Sequence, residues 1–185
     1  MKELGADYVM TPIGDVVLVV DDGALVYLDF VENAARLQRL LSHRYGDFHC
    51  AYQAHLQRFR TQLDHYFAGD LTGLDALPVS IGGTPFQQRV WLALREIPAG
   101  QTVSYGELAK KVGVPTGARA VGRTNGLNPI GIVLPCHRVL GGNQTLTGYA
   151  GGIERKRWLL CHEGASLKDN RTGIKSLTQG VWRQP

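Results

Sequence analysis

The apolar positions of the chain change period after Phe30. Before that point, Val16-Val17-Leu18-Val19-Val20 and Ala24-Leu25-Val26-Tyr27-Leu28 are β-rich runs. Turn signals at Pro12-Ile13-Gly14-Asp15 and Asp21-Asp22-Gly23 separate them, which predicts a small antiparallel sheet over residues 8–30. Beyond it, Ala34, Leu37, Leu40 and Leu41 recur at helical spacing and Gly46 stops the run. Leu56, Phe59, Leu63 and Phe67 form the stripe of a second helix that ends at Gly69. Residues 70–78 are polar and rich in turn formers, and with Gly82-Gly83 they predict a linker into a second unit.

That unit opens on Thr84-Pro85-Phe86-Gln87, where Thr84 can cap, Pro85 suits the first turn and Gln87 completes a capping box. Phe86, Val90, Trp91, Leu94 and Ile97 supply the apolar face, and Pro98-Ala99-Gly100 ends the helix. Ser104 can cap a helix over residues 105–112, and Gly113-Val114-Pro115 turns the chain into another over about 116–126. Two short helices joined by a tight glycine-containing turn suggest a helix-turn-helix. Arg119 and Arg123 lie on its second helix, and Ala120, Val121 and Gly122 are small enough to let it approach another surface closely. Asn128-Pro129 breaks this helix, either as an ordinary turn or as a fixed hinge. Next, Gly131-Ile132-Val133-Leu134 reads as a buried strand ending at Pro135. Residues 153–162 form a basic amphipathic helix with Trp158, Leu159 and Leu160 apolar.

Charge sharpens this division. Residues 1–83 carry 6 Lys/Arg against 11 Asp/Glu, and residues 84–185 carry 14 against 5. The second half is basic enough to lie on a polyanion, although a solvated basic face gives the same count. No apolar run is long enough to span a membrane, and the first residues lack a signal-peptide core. Cys50, Cys136 and Cys161 are odd in number and form no Cys-x-x-Cys pair, which argues against a disulfide scaffold and fits a reducing cytoplasm. His43, His49, His55 and His65 make no tight ligand pair, so they read as ordinary surface histidines and no metal or other cofactor is expected.

The chemistry concentrates at Pro135-Cys136-His137-Arg138-Val139. Burial at a strand end keeps a thiol protonated, whereas an adjacent imidazole and guanidinium favour the nucleophilic thiolate. Adjacent side chains on an extended segment point to opposite sides, so His137 would not touch the Cys136 sulfur directly, a gap that a bridging water would close. The Gly141-Gly142-Asn143 and Thr147-Gly148-Tyr149-Ala150-Gly151-Gly152 loops lack the lysine of a nucleotide-binding loop, so they read as pocket walls.

The Pro-Cys-His-Arg-Val stretch resembles the active-site signature of the O6-alkylguanine-DNA alkyltransferases, the methylated-DNA–protein-cysteine methyltransferases. The resemblance runs from about Thr84 to Glu163 and more loosely back to Thr11-Pro12-Ile13-Gly14. It implies an α/β (α+β) fold: a ribonuclease H-like sheet-and-helix domain over residues 1–80, then a winged-helix-like helix-turn-helix domain over 81–164 that carries the active site. A polar tail, 165–185, would follow. It implies Cys136 as acceptor, with Glu163, 27 residues on, orienting His137, and Tyr105 serving the ring N3 of guanine. Arg119 would enter the base stack of duplex DNA, with Ala120, Gly122, Arg123, Thr102 and Ser104 along the same interface. Asn128 would act as the hinge, and Pro135, Val139, Tyr149, Ala150 and Gly151 would surround the alkylated base. Many relatives carry serine where this chain has Ala150, a change that keeps the backbone donor facing O6.

The expected activity is direct-reversal DNA repair, a one-time transfer of an alkyl group from O6-alkylguanine in duplex DNA to Cys136 by a monomer. O4-alkylthymine is a further candidate substrate. A non-catalytic lesion binder would lack the reactive cysteine, and a conventional cysteine hydrolase would turn over repeatedly on a small ester or amide. An alkyl-transfer assay separates the three.

Overall fold

The structure, a computed structural model, describes residues 1–53 and 56–167. His55 and, from residue 168 on, the expected polar tail lie outside the described residues. The N-terminal sheet has four strands, β1 (Lys2–Val9), β2 (Val16–Asp21), β3 (Ala24–Phe30) and β4 (Phe48–Ala51), in the order β3-β2-β1-β4. Pairing is antiparallel except between β1 and β4. The sheet thus starts earlier than the expected residue 8 and gains a strand after the first helix. Phe48-His49-Cys50-Ala51 is too short and mixed to announce itself, and it becomes a strand by pairing with residues 2–5 of β1.

Helix α1 (Ala34–Tyr45) ends where Gly46 adopts φ 70°, a conformation that favours glycine. It covers one face of the sheet through Leu37, Leu40 and Leu41. Helix α2 (Gln57–Phe67) buries Phe59, Leu63 and Tyr66 on the other face. Both faces being covered accounts for the unbroken Val16–Val20 run: Val17 and Val19 face α1, while Val16, Leu18 and Val20 face the larger core. A register shift beside Val19/Val20 puts Val26 and Tyr27 on the same face.

In the second unit, α3 (Pro85–Leu94) and α4 (Tyr105–Lys111) both begin with complete capping boxes, Thr84/Gln87 and Ser104/Glu107. Helix α5 (Ala118–Gly126) packs on α3, where Trp91 Nε1 donates to the Thr124 carbonyl at 2.9 Å. The two-residue strands β5 (Val103–Ser104) and β6 (Val139–Leu140) pair in parallel, and α6 (Ile153–His162) closes the unit. No helix among the described residues is long and apolar enough to cross a membrane.

The two units share one core. The free edge of β3 is covered by backbone from the linker and from the second unit: Leu25 N–H donates to the Pro78 carbonyl and Leu28 N–H to the Pro129 carbonyl. Gly131 N–H returns a bond to Leu28 O at 2.7 Å. The approach to Cys136 is therefore laid against the N-terminal sheet.

The expected strand over residues 131–134 is not formed. The segment is a buried double turn in which Val133 N–H bonds Gly131 O and Leu134 N–H bonds Ile130 O. The side chain of Asn128 supplies what a ladder partner would have supplied: its Oδ1 accepts from Ile130 N–H at 3.0 Å and its Nδ2 donates to Leu134 O at 2.7 Å. The turn forces Ile132 to φ 66°, costly for a β-branched residue. The regular strand comes after the thiol, at β6.

Candidate active site

Cys136 opens a single 3-10 turn, Cys136–Arg138, at the end of that double turn. The segment is not extended, so the expected opposition of Cys136 and His137 is replaced by the roughly 120° stagger of a 3-10 helix. All three side chains are buried, Cys136 at 7% exposure and His137 at 0%. Burial pushes the Cys136 thiol up, while the nearby Asn128 amide and the charges of Lys156 and Arg36 pull it down less strongly. At rest the group is a thiol, and it needs a base.

His137 is arranged to be that base. Its Nε2 lies 2.8 Å from Glu163 Oε1, and its Nδ1 is buried with no hydrogen-bond partner in the protein. Burial favours a protonated Glu163, but hydrogen bonds and charge from His137 and Arg138 hold its carboxyl far below the usual range. A carboxylate only accepts, so Nε2 carries the proton and Nδ1 presents a lone pair. Burial also lowers the pKa of His137, against the pull of Glu163, which keeps the ring neutral.

Glu163 follows α6 and is 4% exposed. Oε1 accepts from Tyr66 OH at 2.7 Å, His137 Nε2 at 2.8 Å and Arg138 Nη2 at 2.9 Å, and Oε2 accepts from Arg138 Nε at 2.9 Å. Arg138 also donates to the Ile97 carbonyl. The guanidinium of the Pro-Cys-His-Arg stretch therefore clamps the carboxylate in two-point fashion, rather than facing the thiol.

A pocket of about 20 Å³ opens at Cys136. Asp29 and Arg36 of the N-terminal unit line it, with Asn125 and Asn128 at the end of α5 and Gly148, Tyr149, Ala150 and Gly151 of the glycine-rich loop. Arg36 bonds Asp29 Oδ2 and the Asn128 carbonyl, each at 2.7 Å, and so ties α1 to the segment that follows α5. Lys156 is wholly buried, with Nζ on the carbonyls of Val139 and Thr147 at 2.7 and 2.8 Å. Its pKa is brought to about 8 by burial, against the pull of Cys136.

Of the residues expected from the sequence, Cys136, Asn128, Tyr149, Ala150 and Gly151 line this pocket, and His137 and Glu163 pair beneath it. Pro135 and Val139 are buried beside it without lining it. Tyr105 is half-buried, and burial raises its phenol, with Thr147 and Asn125 pulling the other way, so the hydroxyl remains a donor. Arg119, Ala120 and Arg123 are exposed on α5, and Gly122 lies against the Tyr105 ring. Val121, in contrast, is fully buried, so the close-approach surface is narrower than its small residues suggested. Thr102 and Ser104 are half-buried, and the Ser104 hydroxyl is engaged in its helix cap. Cys161 is exposed on α6, which turns Leu159 and Leu160 inward. Cys50 is half-buried in β4.

Sequence reading missed Tyr66, the Asp29–Arg36 pair, Lys156 and Asn125, whose Nδ2 donates to the Cys136 carbonyl at 3.3 Å. Only the Tyr66-Phe67 step at the end of the α2 stripe hinted at an aromatic turned into the site. Among the described residues no three His, Cys, Asp or Glu side chains are grouped to hold a metal ion.

A family model described as 6-O-methylguanine DNA methyltransferase, ribonuclease-like domain, matches residues 6–81. One described as 6-O-methylguanine DNA methyltransferase, DNA binding domain, matches residues 85–165. The chain is 46% identical over 170 residues to the methylated-DNA–protein-cysteine methyltransferase of Salmonella typhimurium, covering 90% of this chain and 99% of that one. With the protein of the same name from Methanosarcina acetivorans it is 41% identical over 155 residues, covering 84% and 95%. Among solved structures, Mycobacterium tuberculosis OGT in complex with DNA is similar at a TM-score of 0.75 and 42% identity, covering 86% and 92%.

Proposed function

This chain belongs to the methylated-DNA–protein-cysteine methyltransferase family, and we propose that it repairs DNA by moving one alkyl group from O6 of guanine to Cys136. The observation that carries this reading is the buried thiol beside a buried histidine whose Nε2 is bound to Glu163 and whose Nδ1 has no partner in the protein.

The Cys136 proton passes through a bridging water to His137 Nδ1, and the resulting imidazolium is stabilised by the Glu163 carboxylate. The sulfur attacks the alkyl carbon in line, and the C–O6 bond breaks as the C–S bond forms. Negative charge developing on the departing guanine is met by the Ala150 N–H at O6 and the Tyr105 hydroxyl at N3. The thioether offers water no leaving group, so each molecule acts once.

The target atom is hidden in a stacked duplex, so the nucleotide must turn out of the helix, at a cost of a few kcal/mol. Arg119, exposed on α5, takes the place of the departed base. Ala120, Gly122 and Arg123 face the groove, with Thr102 and Ser104 beside them. The pocket of about 20 Å³ has room for roughly one water molecule, so the loop over residues 148–151 yields as the base enters. Asn128 acts as the hinge between α5 and the thiol. A reducing cytoplasm keeps Cys136 available.

Titration of the protein with excess O6-methylguanine duplex tests the reading. We expect one methyl group per molecule, on the Cys136 peptide, and a Cys136→Ala protein that binds DNA without accepting methyl. Continued turnover, or methyl on Cys50 or Cys161, refutes it.

A further inference from the structure

The Thr11-Pro12-Ile13-Gly14 turn has no part in the chemistry above, yet it holds a residue of the pocket loop's own helix. Arg155, in the first turn of α6, is 16% exposed, and its Nε donates to the Ile13 carbonyl at 2.7 Å. Its Nη1 pairs with Glu32, which follows β3, and also reaches the Gly151 carbonyl at 3.3 Å. Its guanidinium carbon lies 3.8 Å from the centroid of the Phe30 ring. The turn is shaped for this contact. Gly14 has φ 113°, and a Cβ there would come within 2.6 Å of Arg155 Nη2. One side chain thus joins the 11–14 turn, the end of β3 and the pocket loop.

The loop is packed closely against the N-terminal unit. A Cβ on Gly151 would stand 2.5 Å from Phe30 Cε2 and 2.7 Å from Tyr149 Cε1, so Gly151 is pressed between an N-terminal aromatic and a pocket tyrosine. Two more of the lining residues, Asp29 and Arg36, also belong to the N-terminal unit. Pocket width is therefore set by how firmly the loop is fastened to that unit, and Arg155 is the fastening. Every alkylated guanine presents the same base, so a larger alkyl group has to obtain its extra space from further movement of the loop.

Resting on the alkyl-transfer reading above, we propose that Arg155 is a specificity-determining residue: it clasps the pocket loop to the ribonuclease-like domain and so favours methyl over bulky O6-alkyl groups. The clasp acts on substrate size and not on the thiol. Its loss should slow methyl transfer, because the loop is less well placed, and should relieve the penalty on a large substituent.

Single-turnover rates on matched duplexes carrying O6-methylguanine or O6-benzylguanine test this in Arg155→Ala, Arg155→Lys and Glu32→Gln. We expect the methyl-to-benzyl rate ratio to fall about tenfold in Arg155→Ala, the scale on which a pocket discriminates small differences in apolar bulk. Lysine should recover only part of the ratio, because an ammonium lacks the planar fork that serves several partners at once and stacks on Phe30. Glu32 is 52% exposed, so Glu32→Gln removes the ion pair at little risk to folding, and the ratio should shift the same way by less. If Arg155→Ala does not fold, the ratio in Glu32→Gln decides. A ratio unchanged from wild type, whether both rates hold or fall in parallel, overturns the clasp and leaves Arg155 a structural residue. Wild-type protein that fails to methylate Cys136 refutes the alkyl-transfer reading instead.

Discussion

Replacing Glu163 by glutamine probes the carboxylate on which the site converges. The change is nearly isosteric, but it removes a charge that accepts four hydrogen bonds from three residues. An amide oxygen cannot serve all of these donors, and the new NH₂ group must face either His137 Nε2–H or the Arg138 guanidinium. Arg138 is 5% exposed and would keep the Ile97 carbonyl and at most the single amide oxygen as acceptors, with no opposite charge to pair with. Breaking a buried ion pair from one side costs about 3–5 kcal/mol, and for a chain of this size that lowers the melting temperature by roughly 6–20 °C. His137 would lose the partner that fixes its tautomer and supports its imidazolium, so single-turnover methyl transfer should slow by about a hundredfold or more. DNA affinity, measured well below the melting temperature, should hold. Because the folded-state pKa of Glu163 is depressed, its contribution is fully present above the ordinary carboxylate value near 4.3 and is lost as pH falls toward the folded value. The stability gap between wild type and Glu163→Gln should therefore be constant above about pH 5 and narrow below it. Thermal melts across pH and rapid-quench kinetics on an O6-methylguanine duplex measure both effects. An unchanged melting temperature and rate would refute the reasoning; a lower melting temperature at unchanged rate would show that Glu163 serves Arg138 and not His137.

Tyr66→Phe removes a charge-directed hydrogen bond from Glu163, which should cost about 1.5–3 kcal/mol in a denaturation experiment. It should also strengthen the hold of Glu163 on a protonated His137, so the acid limb of the transfer pH profile should move to higher pH; an unmoved limb would assign Tyr66 to packing alone. Arg119→Ala should impair repair in duplex DNA far more than reaction with free O6-benzylguanine, since a free base needs no flipping, and equal losses would place Arg119 in the chemistry or the fold. Duplex affinity should fall by about 0.9 log units per log unit of salt for each phosphate contacted, and a flat salt titration would exclude the basic half as the DNA surface.

Local structure was legible because its causes are local. The Thr84/Gln87 and Ser104/Glu107 boxes satisfy helix-end donors within three residues, Gly46 stops α1 by its own backbone freedom, and the stripes of α1 and α2 need only the helical period. Cys136 and His137 could be singled out because a thiol and an imidazole are chemically distinctive wherever they lie. The packing around them depended on segments far apart in the chain. Tyr66 meets Glu163 across 97 residues and Arg155 reaches Ile13 across 142, and no periodicity encodes such a meeting. The apolar run at 131–134 satisfies strand preference equally well, and only the Asn128 side chain and the neighbouring β3 edge, by taking its backbone hydrogen bonds, made it a turn. The exposure of Cys161 and the burial of Val121 were likewise decided by which face each helix turned to its neighbours. Sequence determined the elements and the reactive groups, because propensity, capping and side-chain chemistry act over a few residues. Tertiary structure decided which groups are buried together, and so the charge state of Glu163, the tautomer of His137 and the width of the pocket, because desolvation and hydrogen bonding depend on neighbours in space.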